Sequence, residues 1–106
     1  MVAVKNKLEL VCPAGSLPAL RAAVDNGADA VYIGFRDATN ARNFPGLNFS
    51  FEEAQTGISY AHKKNAKVLL ALNTFPQPAD WSLWTNAIDK AARLGVDAVI
   101  LADPGL

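Results

Sequence analysis

Four short apolar runs stand out along the chain: Leu8–Cys12, Ala30–Gly34, Lys67–Asn73 and Ala98–Asp103. Each is nearly continuous in apolar residues and does not alternate with polar ones. Strands covered on both faces, as in parallel sheets, carry this pattern. Val, Ile and Leu dominate them, and Tyr32 is their one aromatic residue.

Three segments between the runs have helical spacing. The first follows Ser16, an N-cap residue type, with Pro18 in the first turn, where a missing N–H does no harm. Leu17, Leu20 and Val24 share one face, and Gly27 stands where a left-handed C-terminal cap belongs. The second begins at Ser50, with Glu53 at capping-box spacing. Phe51, Ala54, Ile58 and Ala61 form its inner stripe, and Asn65 can cap its end. The third starts after Asp80; Trp84, Ile88, Ala91 and Leu94 recur along it, and Gly95 closes it.

A weak repeat supports the parsing. Asn26-Gly27-Ala28-Asp29-Ala30-Val31 is similar to Leu94-Gly95-Val96-Asp97-Ala98-Val99, with the glycines 68 positions apart. That interval is two strand–helix units of about 34 residues each. Glycine ends the helix, Asp caps or turns, and the next strand starts at once.

The order is strand–helix three times over and then a strand, with right-handed crossovers. Two architectures satisfy it: a small open doubly wound sheet, or the N-terminal half of a (β/α)8 TIM-type barrel. The run ends at Asp103-Pro104-Gly105-Leu106, directly after strand four. A last parallel strand with no following helix leaves one face bare, so the chain reads as a truncated half barrel spanning residues 1–106. Such a piece exposes two sheet edges, and self-association through them is the expectation.

Composition narrows the chemistry. Ten basic and ten acidic residues cancel, which leaves no cationic surplus for non-specific nucleic-acid binding. The one cysteine, Cys12, can form neither an internal disulfide nor a cysteine cage for zinc or an iron–sulfur cluster. The longest apolar runs, such as Val68–Leu72, are five residues, against roughly 20 needed to cross a bilayer. No apolar stretch of signal-peptide length follows Met1 to Lys7, and a cytoplasmic, reduced setting with no membrane contact fits.

In parallel α/β folds, ligands bind beyond the C-terminal ends of the strands. Four loops fall there: Cys12-Pro13-Ala14-Gly15, the stretch from Phe35 to Phe49, Asn73 onward to Ala79, and the loop beginning at Asp103. The second is long for a strand-to-helix connection, and long loops usually carry function. It holds Arg36, Asp37, Thr39, Asn40, Arg42, Asn43 and Asn48, with Phe44, Pro45 and Leu47 to pack it down. Arg42 has the planar fork that grips a carboxylate or phosphate. The competing reading pairs it with Asp37 or a backbone carbonyl.

Other candidates are weaker. Cys12 ends the first strand, but His62, the only histidine, lies late in the second helix beside Lys63 and Lys64, so the two form no dyad. Cys12 reads as a small buried packing residue, and His62 as a solvated helix-end residue favoured by the helix dipole. Glu9 falls inside the first strand, where a charge needs a partner. Asn73 and Asp103 sit at strand tips, although Asp103 before Pro104 is also a turn pair. Gly15-Ser16-Leu17 at a helix start is a weak anion signal. Trp81 and Trp84 read as helix packing and rim.

Three blocks carry a family resemblance: Leu10-Val11-Cys12-Pro13-Ala14-Gly15, Asn26 through Gly34, and Asp37-Ala38-Thr39-Asn40-Ala41-Arg42-Asn43-Phe44-Pro45-Gly46-Leu47-Asn48-Phe49. Ala71-Leu72-Asn73-Thr74-Phe75 and Leu101-Ala102-Asp103 continue it over essentially the whole chain. Together they resemble the collagenase-like U-family peptidases. Thr-Asn-Ala-Arg and Gly-Leu-Asn-Phe are most similar to the UbiU branch.

The resemblance implies a longer protein with a barrel-type catalytic domain. It implies oxygen-independent hydroxylation of ubiquinone precursors, with a UbiV-like partner subunit, or of RNA bases. It also implies a 4Fe-4S cluster on four cysteines, with prephenate linked to hydroxyl transfer. None of those cysteines matches a position here, so this stretch is expected to bind no cluster and to be inactive alone. What carries over is the loop after the second strand, with Asn40, Arg42 and Asn48, and the third strand's tip at Asn73. These four are the candidate substrate-binding residues for a small anionic ligand such as prephenate; no catalytic residue is assigned. A peptidase and a non-catalytic assembly module are the competing functions.

Overall fold

The structure, a computed structural model, describes residues 8–41, 46–75, 79 and 81–103. Seven elements alternate: β1 (Val11–Pro13), α1 (Leu17–Asp25), β2 (Ala30–Ile33), α2 (Phe51–Lys63), β3 (Lys67–Leu72), α3 (Trp81–Leu94) and β4 (Ala98–Leu101). The sequence parsing holds in number, type and order. Asp80, placed ahead of the third helix, lies outside the described residues.

The helix starts are made by their side chains. Ser16 Oγ accepts the Ala19 N–H at 3.2 Å and caps α1. At α2, Ser50 Oγ accepts from Glu53 N at 3.1 Å and Glu53 Oε1 accepts from Ser50 N at 3.0 Å, completing the predicted box. Asn65 ends α2 with a positive φ of 63°.

All strand pairs are parallel, in the order β1-β2-β3-β4. This order decides between the two architectures. A doubly wound sheet reverses its strand order at a switch point, whereas here each strand adds to the same side of the last, as in a barrel wall. The core agrees: Val31, Ile33, Val68, Leu70 and Leu72 pack with Leu20, Val24, Ala54, Ile58, Ala61, Ala87 and Ala91 of the helices. By alternation Tyr32, Leu69 and Ala71 face the other way. The structure is a four-strand arc of a β/α barrel, with β1 and β4 as its edges and Val11, Ile100 and Leu101 exposed along them. Among the described residues no helix is long and apolar enough to cross a membrane.

The sequence repeat has a structural counterpart. Gly27 and Gly95 take positive φ, 98° and 75°, which frees the chain to turn back at once. The Asp two residues later then brackets the start of the neighbouring strand. Asp29 N donates to Leu10 O at 2.9 Å while Asp29 Oδ2 accepts from Leu10 N at 2.8 Å. Asp97 N donates to Val68 O at 2.8 Å while Asp97 Oδ2 accepts from Val68 N at 2.7 Å. Each bracket closes both backbone groups of one residue at the foot of a strand, Leu10 just before β1 and Val68 in β3, which pins strand register at the bottom of the sheet.

Two expectations need correction. β1 starts at Val11, not Leu8, and Glu9 lies before the strand, exposed. As an edge strand, β1 has only β2 to pair with, and that ladder opens at Val11 with Ala30. His62 is not merely solvated: its Nε2 lies 2.8 Å from Asp97 Oδ2, joining the end of α2 to the second bracket.

Burial acts to raise the Asp97 pKa, but the Val68 N–H and His62 outweigh it and hold the carboxyl below its ordinary value. A depressed folded pKa stabilises the fold above the unfolded value and loses that contribution as pH falls through the folded one. Asp97→Ala in the full-length protein therefore lowers unfolding free energy at pH 7 by about 1–2 kcal/mol, less than a fully buried bond because the site is part-exposed. In urea titrations the gap between variant and wild type closes on acidification below the ordinary carboxylate range.

Candidate functional site at the strand tips

Because the strands are parallel, their C-terminal ends open on one side, and there a cavity of about 330 Å³ lies. Pro13, Ala14 and Gly15 from the end of β1, Tyr32, Ile33 and Gly34 from β2, and Ala71 and Asn73 from β3 line it. Asn40, Leu47 and Asn48 close it from the long loop. Three of the four predicted site residues, Asn40, Asn48 and Asn73, thus share one pocket. Arg42 lies outside the described residues.

The loop is built around carbonyls and a carboxylate. Arg36 Nη2 donates to Glu53 Oε1 at 2.6 Å and to Asn48 O at 3.1 Å, and its Nε donates to Leu47 O at 3.3 Å. Arg36 thereby holds the loop's backbone, the kind of bond that the sequence reading offered as the alternative role of Arg42. The Ser50 backbone N–H first, then its hydroxyl and Arg36, hold the Glu53 carboxyl below its usual value. Asp37 turns the chain by accepting from the Thr39 N–H at 2.9 Å and from the Thr39 hydroxyl.

Asn40 and Asn48 are each 7% exposed. Asn40 Nδ2 reaches Phe35 O at 3.4 Å, and its carboxamide occupies the space above Gly34, where an added Cβ would stand 2.3 Å from Asn40 Nδ2. Only glycine permits that approach. Asn48 takes a positive φ of 74°, which Asn tolerates better than most residues, and its N–H donates to Gly15 O at 2.6 Å. This bond ties the loop to the tip of β1. Asn73 is exposed and accepts the Ala41 N–H through Oδ1 at 2.8 Å.

Cys12 packs against the helix-side core as expected, but it is half-buried and not the fully buried residue that the sequence suggested. Trp84 is buried and Trp81 is 40% exposed, as packing and rim residues are. Gly34 and Thr74 escaped the sequence reading as site residues, and Arg36 was named in the loop without a role. Gly34 was legible only as the last residue of a strand, and Thr74 only by its place beside Asn73. Among the described residues no group of three or more His, Cys, Asp or Glu side chains is placed to hold a metal ion. A four-thiolate cluster does not fit this chain, whose single thiol is Cys12.

Comparison with known proteins decides the family. The model of peptidase family U32 matches residues 15–106. The chain belongs to peptidase family U32. This bears out the resemblance read from its opening motifs. The U32 chain is 44% identical over 101 residues to the tRNA hydroxylation protein P of Helicobacter pylori, covering 95% of this chain and 24% of that protein. It is 42% identical over 98 residues to an uncharacterized protease of Methanocaldococcus jannaschii, covering 92% of this chain and again 24% of the relative. The chain thus spans about a quarter of the length of these relatives. The solved structure of the U32 peptidase Mk0906 superposes with a TM-score of 0.69 at 18% identity, over all of this chain and 45% of that one, and so shares its fold.

The Gly34–Asn40 approach generates a coupling test. Gly34→Ala destabilises the full-length protein by about 1–3 kcal/mol through overpacking. Asn40→Ala added to it removes the clash, so the double variant is more stable than the sum of the single changes, by more than the roughly 0.5 kcal/mol scatter of independent sites. Thermal unfolding of the four proteins measures this.

Proposed function

We propose that this chain supplies part of the ligand pocket of a U32 hydroxylation protein, holding a small anionic molecule such as prephenate at the strand tips. One observation carries the reading: the described lining of the pocket is carboxamide and apolar but for the Tyr32 phenol, with Asn40, Asn48 and Asn73 converging in it and Arg42 two residues beyond Asn40 in the sequence. Carboxamides orient a ligand by donating and accepting, and the guanidinium would take its carboxylate in a two-pronged bond. Among the described lining residues the one side chain with acid–base chemistry is the Tyr32 phenol, and no serine, cysteine, histidine or carboxylate joins it to make the nucleophile and base of a peptide-hydrolysing pair.

The hydroxylation reading also draws support from the Helicobacter pylori relative, whose name is tRNA hydroxylation protein P. A nucleobase acceptor is the form of the proposal that this favours. A ubiquinone precursor is the second form, favoured by Thr39-Asn40-Ala41-Arg42 and Gly46-Leu47-Asn48-Phe49. The 4Fe-4S cluster, which would supply one-electron chemistry, and a UbiV-like partner belong to this proposal for the full-length cytoplasmic protein. The cluster's cysteines would come from outside the present sequence.

In the full-length protein, Arg42→Ala weakens prephenate binding by about tenfold or more, the loss of a charge-assisted bond, measured by calorimetry. Affinity equal to wild type refutes the role. Protein purified without oxygen is brown and carries about four irons if the cluster reading holds. Colourless protein that cleaves a peptide establishes the peptidase instead. Colourless, inactive protein that binds a partner subunit tightly establishes the assembly module.

A further inference from the structure

We infer that Thr74 is a positioning residue for the pocket, holding Asn40 in place through a hydrogen-bond relay that starts on α3. The inference rests on reading the cavity as a ligand site. Neither Thr74 nor Trp84 lines that cavity, so both act through the loop.

The relay has one polarity. Trp84 is 4% exposed, and an indole N–H in such a place needs an acceptor. Its Nε1 donates to Thr74 Oγ1 at 3.2 Å. The Thr74 hydroxyl has a single proton, which it donates to Ala38 O at 2.6 Å. Indole can only donate and a carbonyl can only accept, so a hydroxyl is what joins them. A rigid helix is thereby connected to one end of the 38–41 segment.

The other end is held one residue earlier in the strand tip, where Asn73 Oδ1 accepts the Ala41 N–H at 2.8 Å. Asn40 lies between the two ties. Its own N–H donates to Asp37 O at 3.2 Å, and its carboxamide rests on Gly34. The segment is therefore gripped at Ala38 and at Ala41 while glycine beneath leaves room for one side chain. Removing the Ala38 tie frees the segment to lift, and Asn40 goes with it.

The test uses the full-length protein with Thr74→Val, which keeps the shape and removes the hydroxyl, and Thr74→Ser, which keeps the hydroxyl. Residue-resolved amide exchange reads the result. In Thr74→Val the Asn40 and Ala41 amides exchange about fivefold faster, the effect of one neutral hydrogen bond on a local opening, while Val31 and Val68 in the strands do not change. Thr74→Ser restores protection to near wild type, and Trp84→Phe gives a weaker version of the Thr74→Val pattern. Unchanged Ala41 exchange in Thr74→Val, or equal loss in Thr74→Ser, overturns the inference. Prephenate affinity falls in step, about fivefold in Thr74→Val. If wild type binds no prephenate, the ligand reading fails on its own and the exchange pattern still decides the relay.

Discussion

Parallel pairing in chain order is the constraint from which the site follows. When each strand runs the same way as the last, every strand-to-helix loop emerges at one end of the sheet. The lower ends must then be held in register, because a parallel ladder is slightly weaker per residue than an antiparallel one. Asp29 and Asp97 do this by closing both backbone groups of Leu10 and Val68. The middle junction works differently: Asn65 supplies the positive φ, and Lys67 N donates to Asp29 O at 2.9 Å. Register fixed at the bottom sets the heights of the tips at the top, and the pocket depends on those heights.

At the tips, backbone and amide groups do most of the organising, beside one ion pair, Arg36–Glu53. The long loop is tied to β1 through Asn48 and Gly15, to β3 through Asn73 and Ala41, and to α2 through Arg36 and Glu53. Among the described residues no buried side-chain nitrogen or oxygen lacks a hydrogen-bond partner. A pocket wall of this kind is pre-formed, which lowers the ordering cost of binding.

The fold was legible because its signals are local and agree with one another. Ser50 and Glu53 announced a capping box, and the apolar runs announced strands, of which the central β2 and β3 are mostly buried while the edges β1 and β4 are largely exposed. Element order alone left barrel arc and doubly wound sheet open, since the two differ only in which side each strand joins; the sequence reading took the barrel, and the strand order β1-β2-β3-β4 bears it out. The site was legible in outline, because the end of a parallel sheet is known once strands are placed, and Asn40, Asn48 and Asn73 fall there. What escaped was set by tertiary contact. Gly34 matters because Asn40 happens to lie above it, and His62 meets Asp97 across 35 residues. The extent of β1 escaped for the same reason, since an edge strand is only as long as its single partner allows.

A crystal structure of the full-length protein grown with prephenate tests the central claim most directly. The account predicts ligand density beyond the C-terminal ends of β1, β2 and β3, in contact with the side chains of Asn40, Asn48 and Asn73. Density at the opposite ends of the strands, or an unoccupied pocket in protein that binds prephenate in solution, would contradict it.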